Sequence, residues 1–519
     1  MKKAIYLIIA LIGLSAPSCS DSMLDFSPTD SGSGKELLKS ASTAITSVNG
    51  VYRSMWTAGW STTANTHQCF GIAAYNLALD CMADDLIMQS QGNGWFWGDH
   101  CYNVKSNYTS SAFRSYDVWY ANYKWIANVN YIIDAEPEMA GTEADVAYVA
   151  GQAYAIRALC YLNLATWFSR APYNSLTGAS RWNEPCVPVY TTGTSIDTGG
   201  QPRESLRTVY GRIDQDIDRA IELLEKARET TLAENNKSHI NLYVALGIKS
   251  RACLAEGDWD GAFKAAKRVI DEGGYAVGTK SDLTGGMNSL DKQNVMCGAG
   301  IQVADQAGGY AGFFTHMDNK EGAYAKSAPK LISKQLYNRI SATDIRRDWW
   351  DPSDKESPYV SKKFSFANVA SFLGDYIYMR VEEMYFTAAE AALRLDDLKN
   401  ARELMNTVMA ERDPGYSANN RSGTLLGATT TTWTGSFLEN ILTHRRIELW
   451  GEYGRLFDVR RLGQGIDRRT DDGFSEECIS MMNRRNVNIT KADTYDWVLT
   501  IPKAELDANP NINEEDQNP

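Results

Sequence analysis

The chain has 519 residues, 44% of them hydrophobic, and a net charge of −12. That length allows a large core and two to four domains. The acidic balance excludes a nucleic-acid surface as the basis of function, because phosphate binding draws its affinity from Lys and Arg.

The first residues, Met1-Lys2-Lys3, lead into an apolar run over residues 4–14 and then into Ser15-Ala16-Pro17-Ser18 ahead of Cys19. A basic, an apolar and a small-residue segment in that order predict a signal peptide over 1–18. The run is too short to span a bilayer, which takes about 20 apolar residues, and no later stretch approaches that length without a charge. The small residues before Cys19 resemble a bacterial lipobox, at which cleavage makes the cysteine the new N-terminus and its sulfur and amine carry acyl chains. More than one chain anchors a protein stably where a single one does not. Residues 19–34, with Ser20, Asp21, Ser22 and Asp25, are too polar to pack a core and read as a flexible tether. Folding is expected from about Lys35, with 35–519 forming one domain. Gly32-Ser33-Gly34-Lys35 has neither the spacing nor the Ser or Thr of a phosphate loop, and is assigned to the tether.

Helical periodicity then dominates. Over 143–168, Ala153, Ile156, Cys160, Leu164 and Trp167 recur at three- and four-residue steps with small residues between them, predicting a helix buried on more than one side. Ser205 is a capping residue, and Val209, Ile213, Ile217, Ala220 and Leu224 form one stripe, predicting an amphipathic helix over 205–227. Residues 241–270 hold two helical patterns broken at Gly257-Asp258, and 381–410 two more broken at Leu395-Asp396-Asp397. Superposed, Ala252 falls on Ala391 and Ala262 on Ala401. These are tetratricopeptide-type hairpins, in which alanines let two helices approach closely around a short turn. The hairpins are separated by Gly-, Tyr- and Trp-rich insertions at 61–117, 169–203, 273–328 and 413–434. A helical scaffold carrying elaborated loops is therefore expected rather than a regular superhelix, with function on the loops.

Four stretches carry a resemblance to a known family. They are Cys19-Ser-Asp-Ser-Met-Leu-Asp, Ile156-Arg-Ala-Leu-Cys-Tyr-Leu-Asn-Leu, Tyr378-Met-Arg-Val-Glu-Glu-Met-Tyr-Phe-Thr-Ala-Ala-Glu-Ala and Arg445-Arg-Ile-Glu-Leu-Trp-Gly-Glu-Tyr-Gly-Arg-Leu-Phe-Asp-Val-Arg-Arg. Ile501-Pro502 and Asp507-Ala-Asn-Pro510 close the chain in the same manner. In this order and at these gaps the chain resembles the SusD/RagB outer-membrane lipoproteins along almost its whole length. The resemblance implies a mostly α-helical fold with four tetratricopeptide-like helix pairs supporting an irregular, loop-rich region with little β-structure. It implies an outer-membrane lipoprotein, anchored at Cys19 and facing the cell exterior. Such a protein captures a ligand over a TonB-dependent transporter without catalysing a reaction, and no cofactor is implied. Fewer acidic residues follow Cys19 than is usual in the family, which thins the signal for the outer face.

Two aromatic segments are candidate ligand sites. In 89–103, Trp95, Phe96 and Trp97 lie between Gly94 and Gly98, so a turn is expected that points at least one ring outward. A sugar ring offers an apolar face of C–H groups to an indole and a polar edge to groups such as Asp99, Asn93 and Asn103. The competing reading is a small core under a loop. In 302–318, Tyr310, Phe313, Phe314 and His316 follow Gly308-Gly309, and packing is the stronger reading because Phe313-Phe314 suits solvent poorly. Trp56, Trp60 and Trp349-Trp350 are read as packing. The charges around Trp450, from Arg445, Arg446 and Glu448 to Arg460 and Arg461, are read as buried Arg–carboxylate pairs rather than as a substrate site.

The eight cysteines besides Cys19 form no CxxC and no His-spaced metal pattern. Most read as buried thiols, and pairing of Cys69, Cys81 or Cys101 is left open by an exported compartment. No HExxH or GxSxG occurs, and the five histidines are not at ligand spacing. The expected function is non-catalytic binding of an oligosaccharide and its transfer to a TonB-dependent transporter. Capture of oligopeptides on the same scaffold is the alternative, and an all-helical glycoside hydrolase the remote one.

Overall fold

The computed structural model describes residues 34–57, 66–102, 113–195, 197–233, 237–302, 311–491 and 494–519. Helix is the dominant element, at about 51%, against 6% strand. The long helices are α1 (Ala41–Ser54), α2 (Ile72–Met82), α3 (Phe113–Ala135), α4 (Glu143–Phe168), α5 (Leu206–Lys226), α6 (Leu242–Glu256), α7 (Trp259–Glu272), α8 (Val381–Arg394), α9 (Leu398–Ala410), α10 (Phe437–Glu448) and α11 (Arg455–Leu462). Helical hairpins α3–α4, α6–α7 and α8–α9 build the scaffold, α5 packs between α4 and α6, α10 packs on α8, and α11 on α2 and α6.

Local chemistry sets the bounds of these helices. Thr142 accepts a hydrogen bond from the Asp145 N–H to start α4, and Ser205 accepts one from Thr208 to start α5, each satisfying a backbone donor the helix itself leaves free. The α5 stripe Val209, Ile213, Ile217, Ala220 and Leu224 is buried along its whole length. Against it, α4 presents Gly151, where a Cβ would stand 3.0 Å from Leu224 Cγ. A side chain there would crowd Leu223 and Leu224 across the helix contact.

The two internal copies match in detail. Gly257 (φ 76°) and Asp396 (φ 61°) occupy the left-handed turn position in each. The next residue caps the second helix, Asp258 accepting from Gly261 N–H and Asp397 from Asn400 N–H. Ala252, Ala262, Ala391 and Ala401 are all fully buried. Although more than a hundred residues separate the copies, α7 packs on α8, so the hairpins stack directly and the insertion between them is extruded from the stack.

This insertion and the earlier one over 61–117 carry the little β-structure among the described residues. Strands β1 (Leu86–Ile87), β3 (Leu331–Ile332), β5 (Val360–Ser361) and β4 (Trp350–Asp351) form a small antiparallel sheet in the order β1-β3-β5-β4, and β2 (Val295–Ala299) pairs antiparallel with β6 (Tyr376–Arg380). Strand β6 runs straight into α8. One hydrophobic core runs from Ala41 to Ile512 through both scaffold and loops. No helix among the described residues is long and apolar enough to cross a membrane.

Candidate ligand-binding site

The tripeptide Trp95-Phe96-Trp97 is split by its own backbone. Phe96 sits in the left-handed region at φ 61°, an uncommon position for a bulky residue that needs outside support. Gln68 supplies it: its side-chain oxygen accepts the Phe96 N–H at 2.8 Å. A one-turn helix, Trp97–His100, follows at once. The kink sends Trp95 outward, half-buried, and Phe96 and Trp97 into the core at 0% and 4% exposure.

Asp99 is likewise drawn inside. Arg114 grips its carboxylate with two bonds, Nε to Oδ1 at 2.8 Å and Nη2 to Oδ2 at 3.0 Å, and gives a third to the Gln68 carbonyl at 3.0 Å. The same guanidinium lies over the Phe96 ring. Asp99 lowers the free energy of the charged guanidinium, which offsets its desolvation and keeps Arg114 firmly charged. The pair thus clamps the base of the turn. The ligand role expected for Phe96, Trp97 and Asp99 does not fit this burial, and packing is the role their surroundings support.

Phe313 is corrected in the same way. It is 8% exposed and set edge-on to Phe314 and Phe364, the geometry aromatic rings prefer in a core. Asn103, Tyr310 and Trp60 lie outside the described residues. Trp349 and Trp350 are buried, as read from the sequence.

Trp95 has partners that sequence reading did not place beside it. Its indole stacks on the His67 imidazole, with centroids 5.1 Å apart and planes at 16°, and Tyr324 stands edge-on to both rings. The Tyr324 hydroxyl is hydrogen-bonded to His67 Nδ1, and the His67 carbonyl is bonded to His316 Nε2 at 2.6 Å. His316 is wholly buried, and burial holds its pKa well below the ordinary value, so the support beneath the stack is neutral. Trp95, His67 and Tyr324 are all half-buried. His67 and Tyr324 belong to the insertions 61–117 and 273–328, flagged as loops; no local spacing joins two residues so far apart in the chain.

The helix carrying Tyr324 (Ala323–Ser327) also carries Lys326, which lines an open groove of about 750 Å³ together with Asp318, Lys320, Glu321, Asp351 and Lys362. Buried Asp318 is held by the backbone N–H groups of Lys320, Glu321 and Phe366, whereas the exposed charges are loosely paired: Lys326–Glu321 and Lys320–Glu321 at 3.8 Å, Lys362–Asp351 at 3.5 Å. At such lengths on the surface the attraction is weak, and these groups are available to hydroxyls. A second concavity, of about 90 Å³, lies within the scaffold between Met55, Trp56, Leu159, Tyr378, Tyr453 and Phe457. Its walls are mainly apolar, which suits a polyhydroxylated ligand poorly. Among the described residues no cluster of His, Cys, Asp and Glu is arranged to hold a metal ion.

A family model described as the SusD family matches residues 330–519, and one described as starch-binding associating with outer membrane matches 43–254. A SusD-like carbohydrate binding protein from Bacteroides vulgatus superposes with a TM-score of 0.73 at 24% identity, over 92% of this chain and 98% of its own. A SusD superfamily protein from Bacteroides thetaiotaomicron gives 0.72 at 22% identity, over 92% and 100%. Surface glycan-binding protein A from Bacteroides thetaiotaomicron, in complex with laminarihexaose, gives 0.62 at 16%, over 92% and 99%. Comparison with curated protein sequences finds no match.

Proposed function

Because the chain belongs to the SusD/RagB family, we propose that it is a non-catalytic, surface-held binding protein for an oligosaccharide, with Trp95 as the platform on which a sugar ring lies. The observation that carries this is the half-buried stack of Trp95 on His67, braced by Tyr324 from a short helix whose Lys326 lines a groove of mixed charged and apolar walls. An indole held flat by a neighbour loses no further freedom when a ligand meets it, and the loosely paired charges nearby supply the directional bonds that fix orientation. Tyr324 locks the imidazole and so sets the plane of the whole platform.

Acylation at Cys19 holds the protein at the outer membrane, and the tether over 19–34 gives it reach over a TonB-dependent transporter, to which it passes the ligand. The family's description as associating with outer membrane supports the location. Co-purification of a transporter with the tagged, full-length protein from native membranes tests the partnership; recovery of the lipoprotein alone under conditions that preserve the transporter overturns it.

Isothermal titration against a panel of oligosaccharides tests the ligand class. Binding of at least one of them, lost in Trp95→Ala, is the expected result. No binding to any glycan, with tight binding to oligopeptides, overturns it in favour of peptide capture. Release of shortened products from a bound glycan replaces the non-catalytic reading with a hydrolase.

A further inference from the structure

We propose that the cavity inside the helical scaffold is a second binding site, which takes a small neutral molecule built on one aromatic ring and carrying a hydroxyl. The site shares no lining residue with the Trp95 corner or with the charged groove, and it stands apart from the glycan reading above. Its walls come from the scaffold itself: Tyr52 from α1, Leu162 from α4, Ile248 from α6, Tyr378 from β6 and Phe457 from α11. A cavity formed in this way before the ligand arrives costs little ordering on binding. It is only partly enclosed, and Trp56, Leu159 and Tyr453 on its wall are half-buried, so a ligand enters without unfolding the scaffold.

The wall selects the ligand by its chemistry. Tyr52, Trp56, Tyr378, Tyr453 and Phe457 present rings, and Met55 and Met379 add thioethers. Rings favour edge-on or offset contact with another ring, and methionine fits itself to an irregular outline. A charged ligand finds no free countercharge among the basic groups of the wall. Arg251 gives its Nε and Nη2 to the two carboxylate oxygens of Glu383 at 2.8 and 2.7 Å. His239 is bonded through its ring nitrogens to Tyr148 and Asn49, and burial lowers its pKa to about 4, so it is neutral.

Polar side chains on the wall are already engaged at several points. The Thr166 hydroxyl donates to the Leu162 carbonyl, and the Asn76 amide to that of Glu452. Tyr378 differs. Its hydroxyl is buried and, among the described residues, has no hydrogen-bond partner. Burial raises its pKa well above the ordinary 10, so it stays protonated and is able both to donate and to accept. A buried polar group without a partner calls for one, and a ligand hydroxyl supplies it. Size narrows the class further. The cavity measures about 90 Å³, whereas a water molecule needs about 10–15 Å³, and an apolar cavity of about 150 Å³ takes up benzene. A single ring is therefore the largest body that fits. A sugar ring would bring several hydroxyls against these walls and leave most of them unpaired.

Isothermal titration of the full chain with phenol is the test, with benzene as the ligand lacking the hydroxyl. Phenol is expected to bind one to one and about tenfold more tightly than benzene. Tyr378→Phe removes only an oxygen that has no partner, and is expected to fold normally and to bind the two ligands alike. Leu159→Trp, which fills the cavity from its half-buried wall, is expected to bind neither. Phenol is also expected to raise the unfolding midpoint of the wild type more than that of Tyr378→Phe, since a ligand stabilises the fold in proportion to how far it saturates it. No binding of phenol by the wild type, equal affinity for phenol and benzene, a preference for phenol that survives Tyr378→Phe, or binding that survives Leu159→Trp each overturns the proposal.

Discussion

Around Glu448 three arginines are sealed from water, whereas around His67 the rings of Trp95 and Tyr324 stay half in it. Glu448 takes Arg346 at 3.1 Å, Arg380 at 3.0 Å and Arg412 at 2.9 Å, and every one of these side chains is at 0% exposure. The arginines reach onward to Asp344, Glu452 and Glu382, so no charge in the knot depends on a single partner. Such groups cannot turn to a ligand, because each departure would leave a buried charge unpaired. The aromatic corner differs: water already touches its rings, and a ligand replacing that water breaks no buried bond. The densest charge in this protein is scaffold, and a partly wet ring is the better candidate for recognition.

The largest effect is expected at the knot. Glu448→Ala leaves three guanidinium groups facing one another and is expected to cost about 3–5 kcal/mol in chemical denaturation; a loss below about 1 kcal/mol would break the contrast drawn above. The pH dependence follows from the same geometry. Burial alone would raise the Glu448 pKa, but Arg412, Arg380 and Arg346 together hold it well below its ordinary 4.5. A carboxylate depressed in the fold stabilises fully above its unfolded value, and that stability disappears as pH falls from there through the folded value. Wild-type stability is therefore expected to drop below about pH 4.5, with a shallower slope in Glu448→Ala.

Asp80 has the opposite sign. Burial pushes its pKa up from 3.8 to about 8, although the Arg455 backbone N–H donates to it. The fold keeps it protonated while the unfolded chain ionises, so it costs increasing stability as pH rises from about 4 to about 8. Asp80→Asn is expected to gain on the wild type across that range, and parallel stability curves for the two proteins would contradict it.

Within the aromatic corner, neighbouring tryptophans are expected to part company. Trp97→Ala empties a buried site and is expected to cost about 3–5 kcal/mol. Trp95→Ala gives up a half-exposed stack worth about 0.5–1.5 kcal/mol, yet is expected to weaken glycan binding at least about tenfold, or 1.4 kcal/mol. Equal stability losses at the two positions, or unchanged affinity in Trp95→Ala, would remove the distinction between platform and packing. The smallest effect belongs to the scaffold turn. Asp396 holds the left-handed position that Gly257 holds in the other copy, so Asp396→Gly is expected to stabilise by about 1 kcal/mol, measurable as a small rise in denaturation midpoint.

Arg446 separates the two readings of the charged C-terminal segment. It pairs with Asp85 at 2.6 Å and Asp84 at 3.0 Å, all buried. Arg446→Ala is accordingly expected to unfold more easily; a variant of unchanged stability that loses ligand would make this segment a binding site after all.

The sequence alone determined the helices, because periodicity and capping act within a few residues: 143–168 and the stripe on α5 are read from neighbours in the chain. It also showed that the charges from Arg445 to Arg461 belong inside, since so many arginines and carboxylates around aromatic residues require mutual pairing. Their partners were not legible. Asp84, Asp85, Glu383 and Glu390 reach them from elements far away in the chain, and nothing local marks which carboxylate meets which arginine.

The aromatic segment shows the same boundary at one-residue scale. That a turn flanked by glycines points one ring outward follows from local geometry; which ring does so follows from Gln68 and Arg114, which hold the Phe96 backbone and the Asp99 carboxylate from other parts of the fold. His67 and Tyr324 become neighbours only when the insertions are packed together. Short-range forces write helix and turn into the sequence, but the choice of side chain left at the surface depends on desolvation and on partners that only the tertiary structure brings within reach.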